Sequence, residues 1–481
     1  MANVLLAVPP ITREEFYVKG SKFTGTILPP LGIAYIAAML EKYGHKVKIY
    51  DGIAEGGTVD TFVNHLNSFD IVGLTVNSSF AYRSKKTAEG IKNKDKDIVV
   101  IGGSGHANTF PLDILKARQF DFSIIGEAEN TFCEIADTVD KGKSTGDIKN
   151  EKTIKGIAFL DKGDKLTYTE PRPFIQDLDT IPMPARHLLP MHLYKMTEAR
   201  SNRQPCLSMM TARGCPFPCT FCYQDIYKVT YRTHSPMRVA DEIQLLINKY
   251  GAREIAIWDE HFTLKKGRVI EICKEIKRRG IDIPWSCQSR TDGINEEMLK
   301  EMKSAGCEFI AYGVESGSER MLKAIKKLET KDKFREGFKM TRKAGIKTRA
   351  YFILGLYDET LEEMQQTIDF AKELDPDAVS FSLWTPFPGT VDYQSAVEDK
   401  TYSGLPYWET ENLPDYNFTE NPVYMPKGVT KEQLLKMHKK AYKSFYLRPK
   451  YIFNRLLEIR SIDDVKRLYM GFRAVLSTVS F

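Results

Sequence analysis

The sequence predicts an α/β protein made of two parallel sheets in series. A doubly wound sheet comes first, then a partial (β/α)6 barrel of the TIM type, then a helical C-terminal region. Three observations predict it. Over residues 1–145, short apolar runs alternate with helical patterns. The alternation resumes at residue 205 and gives six strand–helix repeats by residue 395. Between them, residues 146–204 hold Pro171, Pro173, Pro182, Pro184 and Pro190 and read as a linker with one hairpin. Strands that alternate with helices pair in parallel, because each crossover passes over the sheet through a helix.

In the first unit, Val4–Val8 is a strand stopped by Pro9-Pro10. Leu31–Tyr43 is an amphipathic helix stopped by Gly44, and Val47–Tyr50 is a strand ending at Asp51. Val59–Leu66 is a helix, Ile71–Val76 a strand and Lys85–Lys92 a helix. Ile98–Ile101 is a strand ending at Gly102-Gly103. Phe122–Ile125 is a strand ending at Gly126-Glu127, before a helix from Thr131. Ligands of such sheets bind beyond the carboxyl ends of the strands. Asp51, Thr75, Gly102, Gly103 and Gly126 are therefore expected on one edge. In the linker, Gly156–Leu160 and Lys165–Tyr168 flank the turn Lys162-Gly163-Asp164.

In the second unit, strands are expected at Leu207–Thr211, Glu254–Trp258, Trp285–Ser289, Phe309–Gly313, Arg349–Leu354 and Ala378–Leu383. Helices fall at 237–250, 267–279, 295–305, 330–344 and 360–374. Polar residues end nearly every strand. That favours a barrel over a second doubly wound sheet, because chemistry on parallel barrels collects at those ends. Residues 396–481 are aromatic and basic, helical from about Lys431 and interrupted at Pro449.

Composition limits the function. Of 481 residues, 42% are apolar and 27% charged, the balance of a folded chain. The net charge of +6 is too small over this length to argue for nucleic acid. No apolar run approaches the ~18 residues of a membrane span. Met1-Ala2-Asn3-Val4-Leu5-Leu6 has no basic segment of a secretory leader, so the cytoplasm is the expected location. Eight cysteines are few for a disulfide framework, and in a cytosolic chain a cluster of them reads as metal or redox chemistry.

Three of the eight form Cys215-x3-Cys219-x2-Cys222. Three thiolates suit a 4Fe–4S cluster with one iron left open, and an open position marks catalysis. The competing reading is a zinc knuckle, which wants a fourth ligand at short spacing; the nearest downstream histidine is His234. Cys133, Cys206, Cys273, Cys287 and Cys307 have no ligand spacing and read as core cysteines.

With this motif and Phe221 before its last cysteine, residues 205–390 resemble a radical S-adenosylmethionine (SAM) enzyme. The resemblance implies that Cys215, Cys219 and Cys222 ligate the cluster and that SAM chelates the fourth iron. It also implies that one electron yields a 5′-deoxyadenosyl radical. Asp259 and Glu260 stand where the family binds the methionine amino group, without the usual Gly-Gly-Glu. Ser289 and Arg290 end the third strand. Gly313-Val314-Glu315-Ser316 resembles the segment that reaches the ribose or carboxylate, and Ile353-Leu354-Gly355 the adenine-packing stretch.

Residues 1–140 resemble the cobalamin-binding domain that often precedes such a core. The resemblance rests on Leu28-Pro29-Pro30-Leu31-Gly32, Asp51, Thr75-Val76-Asn77, Gly102-Gly103-x-x-His106 and Gly126-Glu127-Ala128-Glu129. The common Asp-x-His-x-x-Gly motif reads Asp51-Gly52-Ile53-Ala54-Glu55-Gly56, so Ile53 replaces the histidine that ligates cobalt. Together the halves resemble the cobalamin-dependent radical SAM enzymes. The resemblance implies methyl transfer from SAM by way of cobalamin to an unactivated carbon, with ferredoxin or flavodoxin as electron donor. The substrate would be a small molecule, a peptide or a protein, such as a glutamine side chain in methyl-coenzyme M reductase. The alternatives are an oxidative cyclase of the magnesium-protoporphyrin ester type and a non-catalytic iron–sulfur or cobalamin carrier; Lys443–Pro449 resembles the C-terminal region of the wider cyclase-like family and does not separate cyclase from methyltransferase. Tyr402, Tyr407, Trp408, Tyr416, Tyr424, Tyr442, Phe445 and Tyr446 are expected to line a substrate entrance, or else to cap the barrel.

Overall fold

Strand β1 (Asn3–Val8) is buried over Val4–Val8, and its side chains alternate between two cores. Val4 and Leu6 enter one core, Leu5 and Ala7 the other. This follows from the two-residue period of a strand covered on both faces. Around it lie β2 (Lys46–Asp51), β3 (Ile71–Thr75), β4 (Val99–Gly103), β5 (Phe122–Ile124), β6 (Ile157–Leu160) and β7 (Leu166–Tyr168). The order is β2-β1-β3-β4-β5-β6-β7, parallel through β5 and antiparallel beyond it. Order 2-1-3-4-5 is the doubly wound arrangement that binds ligand where the strand order reverses, between β1 and β3. The hairpin expected within a linker is a correction: β6 and β7 complete this sheet. The structure describes residues 1–12, 26–66, 68–197, 201, 203–224, 226, 230–404, 422–459, 461, 464–465 and 468–473, in a computed structural model. Tyr407, Trp408 and Tyr416 lie outside the described residues.

The second sheet holds β8 (Cys206–Met209), followed along the chain by a small antiparallel pair, β9 (Ala212–Arg213) and β10 (Arg232–Thr233). Then come β11 (Glu254–Ile257), β12 (Trp285–Ser289), β13 (Cys307–Glu315), β14 (Lys347–Leu354) and β15 (Ala378–Leu383). The six large strands run β8-β11-β12-β13-β14-β15, all parallel and in chain order. An order with no reversal puts every right-handed crossover on one face, which makes a partial barrel rather than a second doubly wound sheet. Ser235, Asn295, Thr330 and Thr360 cap the crossover helices, each accepting a backbone N–H from the first turn.

The C-terminal helix Lys431–Tyr446 runs along the free edge of β15. The Tyr446 hydroxyl accepts from Val379 N at 3.0 Å and donates to Val379 O at 2.7 Å. The Tyr442 hydroxyl does the same for Phe381, at 3.2 Å on each side. His438 Nε2 lies 2.9 Å from Phe381 O. Four helical residues rise ~6 Å and two strand residues ~6.7 Å, so the two tyrosines match consecutive outward backbone groups. Tyr442, Phe445 and Tyr446 thus cap the sheet. Tyr402 and Tyr424 are buried with Trp384 beyond β15, packed against Ile353 and Phe221.

Candidate active site

The cysteine loop leaves the barrel after β8 and is set by a buried carboxylate. Asp259, with no exposed surface, accepts from Thr211 N at 2.5 Å, from Ala212 N at 3.1 Å and from the Thr211 hydroxyl. Both its oxygens are therefore occupied in holding the turn that leads to the loop. Its neighbour Glu260 is exposed, and its charge acts on Cys215 and Cys222. Gly214 adopts φ +83°, and a Cβ there would lie 2.3 Å from Thr230 O, so only glycine fits before Cys215. Thr220 closes the other side. Its N–H donates to Ile325 O at 3.1 Å and its hydroxyl to Asp392 at 2.9 Å.

Cys215 and Cys219 are half-buried, Cys222 is exposed, and all three are free thiols. Cys222 feels the charges of both others. Among the described residues, no three His, Cys, Asp or Glu side chains close around a point as one metal ion requires. A cluster instead gives each thiolate its own iron. The donor set, soft and one short of four, fits a 4Fe–4S cluster with an open iron.

Beneath the loop lies a buried charge network. Lys327 Nζ is 3.2 Å from Glu315 Oε1 and 3.9 Å from Glu329 Oε2. Arg290 donates to Asp292 at 2.8 Å and to Lys327 O at 2.7 Å, and lies 3.5 Å from Glu329. Glu329 also accepts from Thr291 N at 2.9 Å. Burial works against the Lys327 ammonium, but Glu315 and Glu329 outweigh it and hold it above its ordinary range. Burial pushes the Cys219 thiol up, against the pull of Lys327 and Arg290. Glu315 has φ +70°, and a Cβ on Gly313 would lie 2.3 Å from its Oε1. The strand end is therefore shaped around this carboxylate.

Arg290 also lies flat on Phe217, between Cys215 and Cys219, with its guanidinium 3.7 Å from the ring centre. His261 packs against the same ring at 5.7 Å. Its Nδ1 is 3.4 Å from Ser289 Oγ, which also pairs with Thr263. Burial, helped by the Arg290 charge, pulls His261 down to about 4, so the imidazole is neutral. Ile353 and Phe221 share one apolar cluster. The turn after β14 is fixed by Glu359, whose carboxylate accepts from Gly355 N at 2.6 Å and Leu356 N at 3.1 Å.

At the N-terminal sheet, the expected residues part into two groups. Gly103 and Gly126 face open space: a Cβ on either would meet nothing within 4 Å. Thr75 and Ile53 are half-buried. Gly102 does not face the crevice; a Cβ there would lie 2.7 Å from Ile114 Cδ1 and 3.2 Å from Phe120, so its smallness serves the core. Asp51 is buried and accepts from Tyr194 Oη at 2.9 Å and Ile53 N at 3.1 Å. Gly103 and Gly126 give backbone access, and Ile53 offers no lone pair. This edge fits a cobalamin without a protein histidine beneath it. His106 is buried, 3.2 Å from Ser78 Oγ, and burial pulls it down to about 4.

Sequence reasoning missed Phe217, His261, Lys327 and Tyr223. Nothing local marks them: in sequence, Lys327 stands beside Lys326 and Tyr223 beside Cys222. Glu127 and Glu129 stand in the segment that carries the cobalamin-domain resemblance, with no role assigned from sequence. They are partners of the barrel. Arg213 donates to Glu127 at 2.7 Å and to Glu129 at 2.6 Å, and Arg232 donates to Glu127 at 2.8 Å, all buried. Burial works against the Glu127 carboxylate, but Arg232 and Arg213 hold it below its ordinary range.

The chain matches the Radical SAM superfamily over residues 209–371 and the B12 binding domain over residues 24–136. It is 38% identical to an uncharacterized methyltransferase of Pyrococcus horikoshii, over 98% of each chain. It is 29% identical to the cytidylyl-2-hydroxyethylphosphonate methyltransferase of Streptomyces wedmorensis, over 83% of this chain and 88% of that one. To the anaerobic magnesium-protoporphyrin IX monomethyl ester cyclase of Rubrivivax gelatinosus it is 27% identical, over 92% and 77%. Its fold is that of OxsB, a cobalamin-dependent SAM radical enzyme solved with aqua-cobalamin and SAM (TM-score 0.73, 18% identity, 99% of this chain and 72% of that one). No helix among the described residues is long and apolar enough to cross a membrane. With its full-length likeness to the Pyrococcus protein and both cofactor domains in place, and with homology to the anaerobic magnesium-protoporphyrin ester cyclases, the chain belongs to the family of cobalamin-dependent radical SAM methyltransferases.

Proposed function

We propose that the protein moves a methyl group from SAM to an unactivated carbon of a peptide or protein side chain, such as a glutamine. The observation that carries the transfer is the pairing of two unlike strand ends. An open three-thiol loop over a charged network stands beside strand ends with open space at Gly103 and Gly126. When bound, the cluster supplies the electron that opens the sulfonium, and cobalamin supplies a carrier for the methyl group.

The chain's own residues do the rest. Cys215, Cys219 and Cys222 hold iron. Glu260 takes the ammonium of SAM, since Asp259 has both oxygens committed. Glu315, fixed by Lys327, takes a ribose hydroxyl. Ile353 and Phe221 offer an apolar wall to the adenine. Ser289 and Arg290 hold His261 and Phe217 and so keep the loop in place. Thr75, Gly103 and Gly126 would leave room for a cobalamin tail, and Ile53, with no lone pair, would fill space beside the cofactor without ligating it. The side-chain acceptor rests on the chain's size and lysine-rich composition, which are compatible with the subgroup that methylates such residues, and a ferredoxin or flavodoxin is the proposed donor.

The test is anaerobic incubation with reductant, cobalamin and methyl-labelled SAM, with glutamine-containing peptides as acceptor. Label on peptide carbon is the expected result, with none from Cys219→Ala. The cyclase relatives support a second reading. Oxidation of a magnesium-protoporphyrin ester without transfer of label would replace the proposal with that one.

A further inference from the structure

The cysteine loop is gripped at both ends by the other domain. Two residues before Cys215, Arg213 makes its buried pairs with Glu127 and Glu129. Directly after Cys222, the Tyr223 hydroxyl donates to Gly105 O at 3.0 Å and lies 3.0 Å from the Thr109 hydroxyl. Its ring rests on Gly105, 3.6 Å from where a Cβ would stand. These partners follow β5 and β4 directly. Glu127 follows Gly126 and Glu129 opens the helix Glu129–Asp140, while Gly105 and Thr109 lie on the short helix Gly105–Thr109, two residues beyond Gly103. The same two segments therefore adjoin the open space at Gly103 and Gly126 and clamp the cysteine loop.

We propose that Tyr223 and Arg213 are positioning residues that couple occupation of the cysteine loop by the cluster to occupation of the crevice by cobalamin. The inference rests on the functional reading above. A ligand at either site orders loops that the other ligand needs ordered, so the second to bind has less disorder to remove. Such coupling is reciprocal: each ligand must tighten the other by the same factor. The arginine pairs make the clamp strict, because a buried charge whose partner is pulled away is left uncompensated. Tyr223 makes it adjustable, because its hydroxyl can be deleted without opening a cavity.

The experiment measures hydroxocobalamin binding to the full chain, by equilibrium dialysis, with the cluster reconstituted and after its removal by chelation. The cluster should tighten cobalamin by about fivefold or more, the lower end of ordinary coupling between sites. Tyr223→Phe should keep full iron content and still bind cobalamin, but with the two affinities within about twofold, since the contacts of its hydroxyl with Gly105 and Thr109 are together worth at least that difference. Glu129→Gln, which leaves Glu127 paired, should reduce the ratio as well. A merely structural role would lower the unfolding midpoint and leave the ratio alone. Equal affinities in the wild type would overturn the coupling, as would a ratio unchanged in both variants. No cobalamin uptake in either form would overturn the functional reading and this inference with it.

Discussion

Beyond β12 and β13, the barrel carries Arg290, Glu315, Lys327 and Glu329 in one buried network, with the exposed Asp292 paired to Arg290 at its rim. Beyond β3, β4 and β5, the N-terminal sheet carries Thr75, Gly103 and Gly126. Where a carboxylate does end a strand there, as Asp51 ends β2, Tyr194 covers it. Both edges are the carboxyl ends of parallel strands, so topology alone does not tell them apart. Side-chain chemistry does. A small zwitterion is recognised by fixed opposite charges, which discriminate strongly when buried. A large nucleotide-tailed cofactor is recognised by backbone and shape, which require that side chains be missing.

The charged edge should break hardest. Lys327→Met removes the cation between Glu315 and Glu329 and leaves two buried carboxylates facing each other. Losing one partner of a buried pair costs ~3–5 kcal/mol. Urea unfolding should show a loss at least at the lower end of that range. A loss below ~1 kcal/mol would mean that water already screens the network, and that the barrel edge does not differ from the other in the way described.

The uncharged edge can be dissected with two adjacent glycines. Gly103→Leu fills the open side of the crevice, so cobalamin affinity should fall more than tenfold. Its unfolding free energy should stay within ~0.5 kcal/mol of the parent, as for other substitutions into open space. Gly102→Ala should do the reverse. Its new methyl presses on Ile114 and Phe120, costing ~1–3 kcal/mol, while cobalamin affinity per folded molecule stays unchanged. If both glycines behave alike, the crevice is wider or narrower than its lining indicates.

These two glycines also show where sequence reading ends. Side by side after an apolar run, they look identical, and nothing local says that one faces core and the other space. The large elements were legible because they obey local rules. β1, β3 and β4 are continuous apolar runs, and the crossover helices follow their caps. The spacing of Cys215, Cys219 and Cys222 was legible for the same reason. What escaped depends on contacts between distant segments. β6 and β7 look like a free hairpin until β5 is placed beside them. Glu127 and Glu129 have no legible role until Arg213 arrives from 84–86 residues away. Phe217 lies inside the cysteine motif, yet its role depends on Arg290 and His261 from two other strand ends.

The smallest effect is expected farthest from both edges, on the outer side of the barrel. Tyr446 satisfies the N–H and C=O of Val379, groups that an uncovered edge strand would offer to another chain. Tyr446→Phe keeps the ring, which stacks on Tyr442 at 6.1 Å and meets Tyr451 edge-on at 5.2 Å. It deletes only the oxygen. The loss should be ~1 kcal/mol, the net worth of an ordinary hydrogen bond, because part of the backbone pairing can pass to water at this half-buried position. Product formed per folded molecule should be unchanged, since Tyr446 meets β15 at Val379, near the start of the strand, whereas the helix approaches the strand ends through Leu434, which packs on Gly355. Light scattering should register the unpaired strand as a greater tendency to self-associate. If product instead falls while stability holds, the helix reaches the substrate, and the aromatic tail is the entrance that its composition first implied.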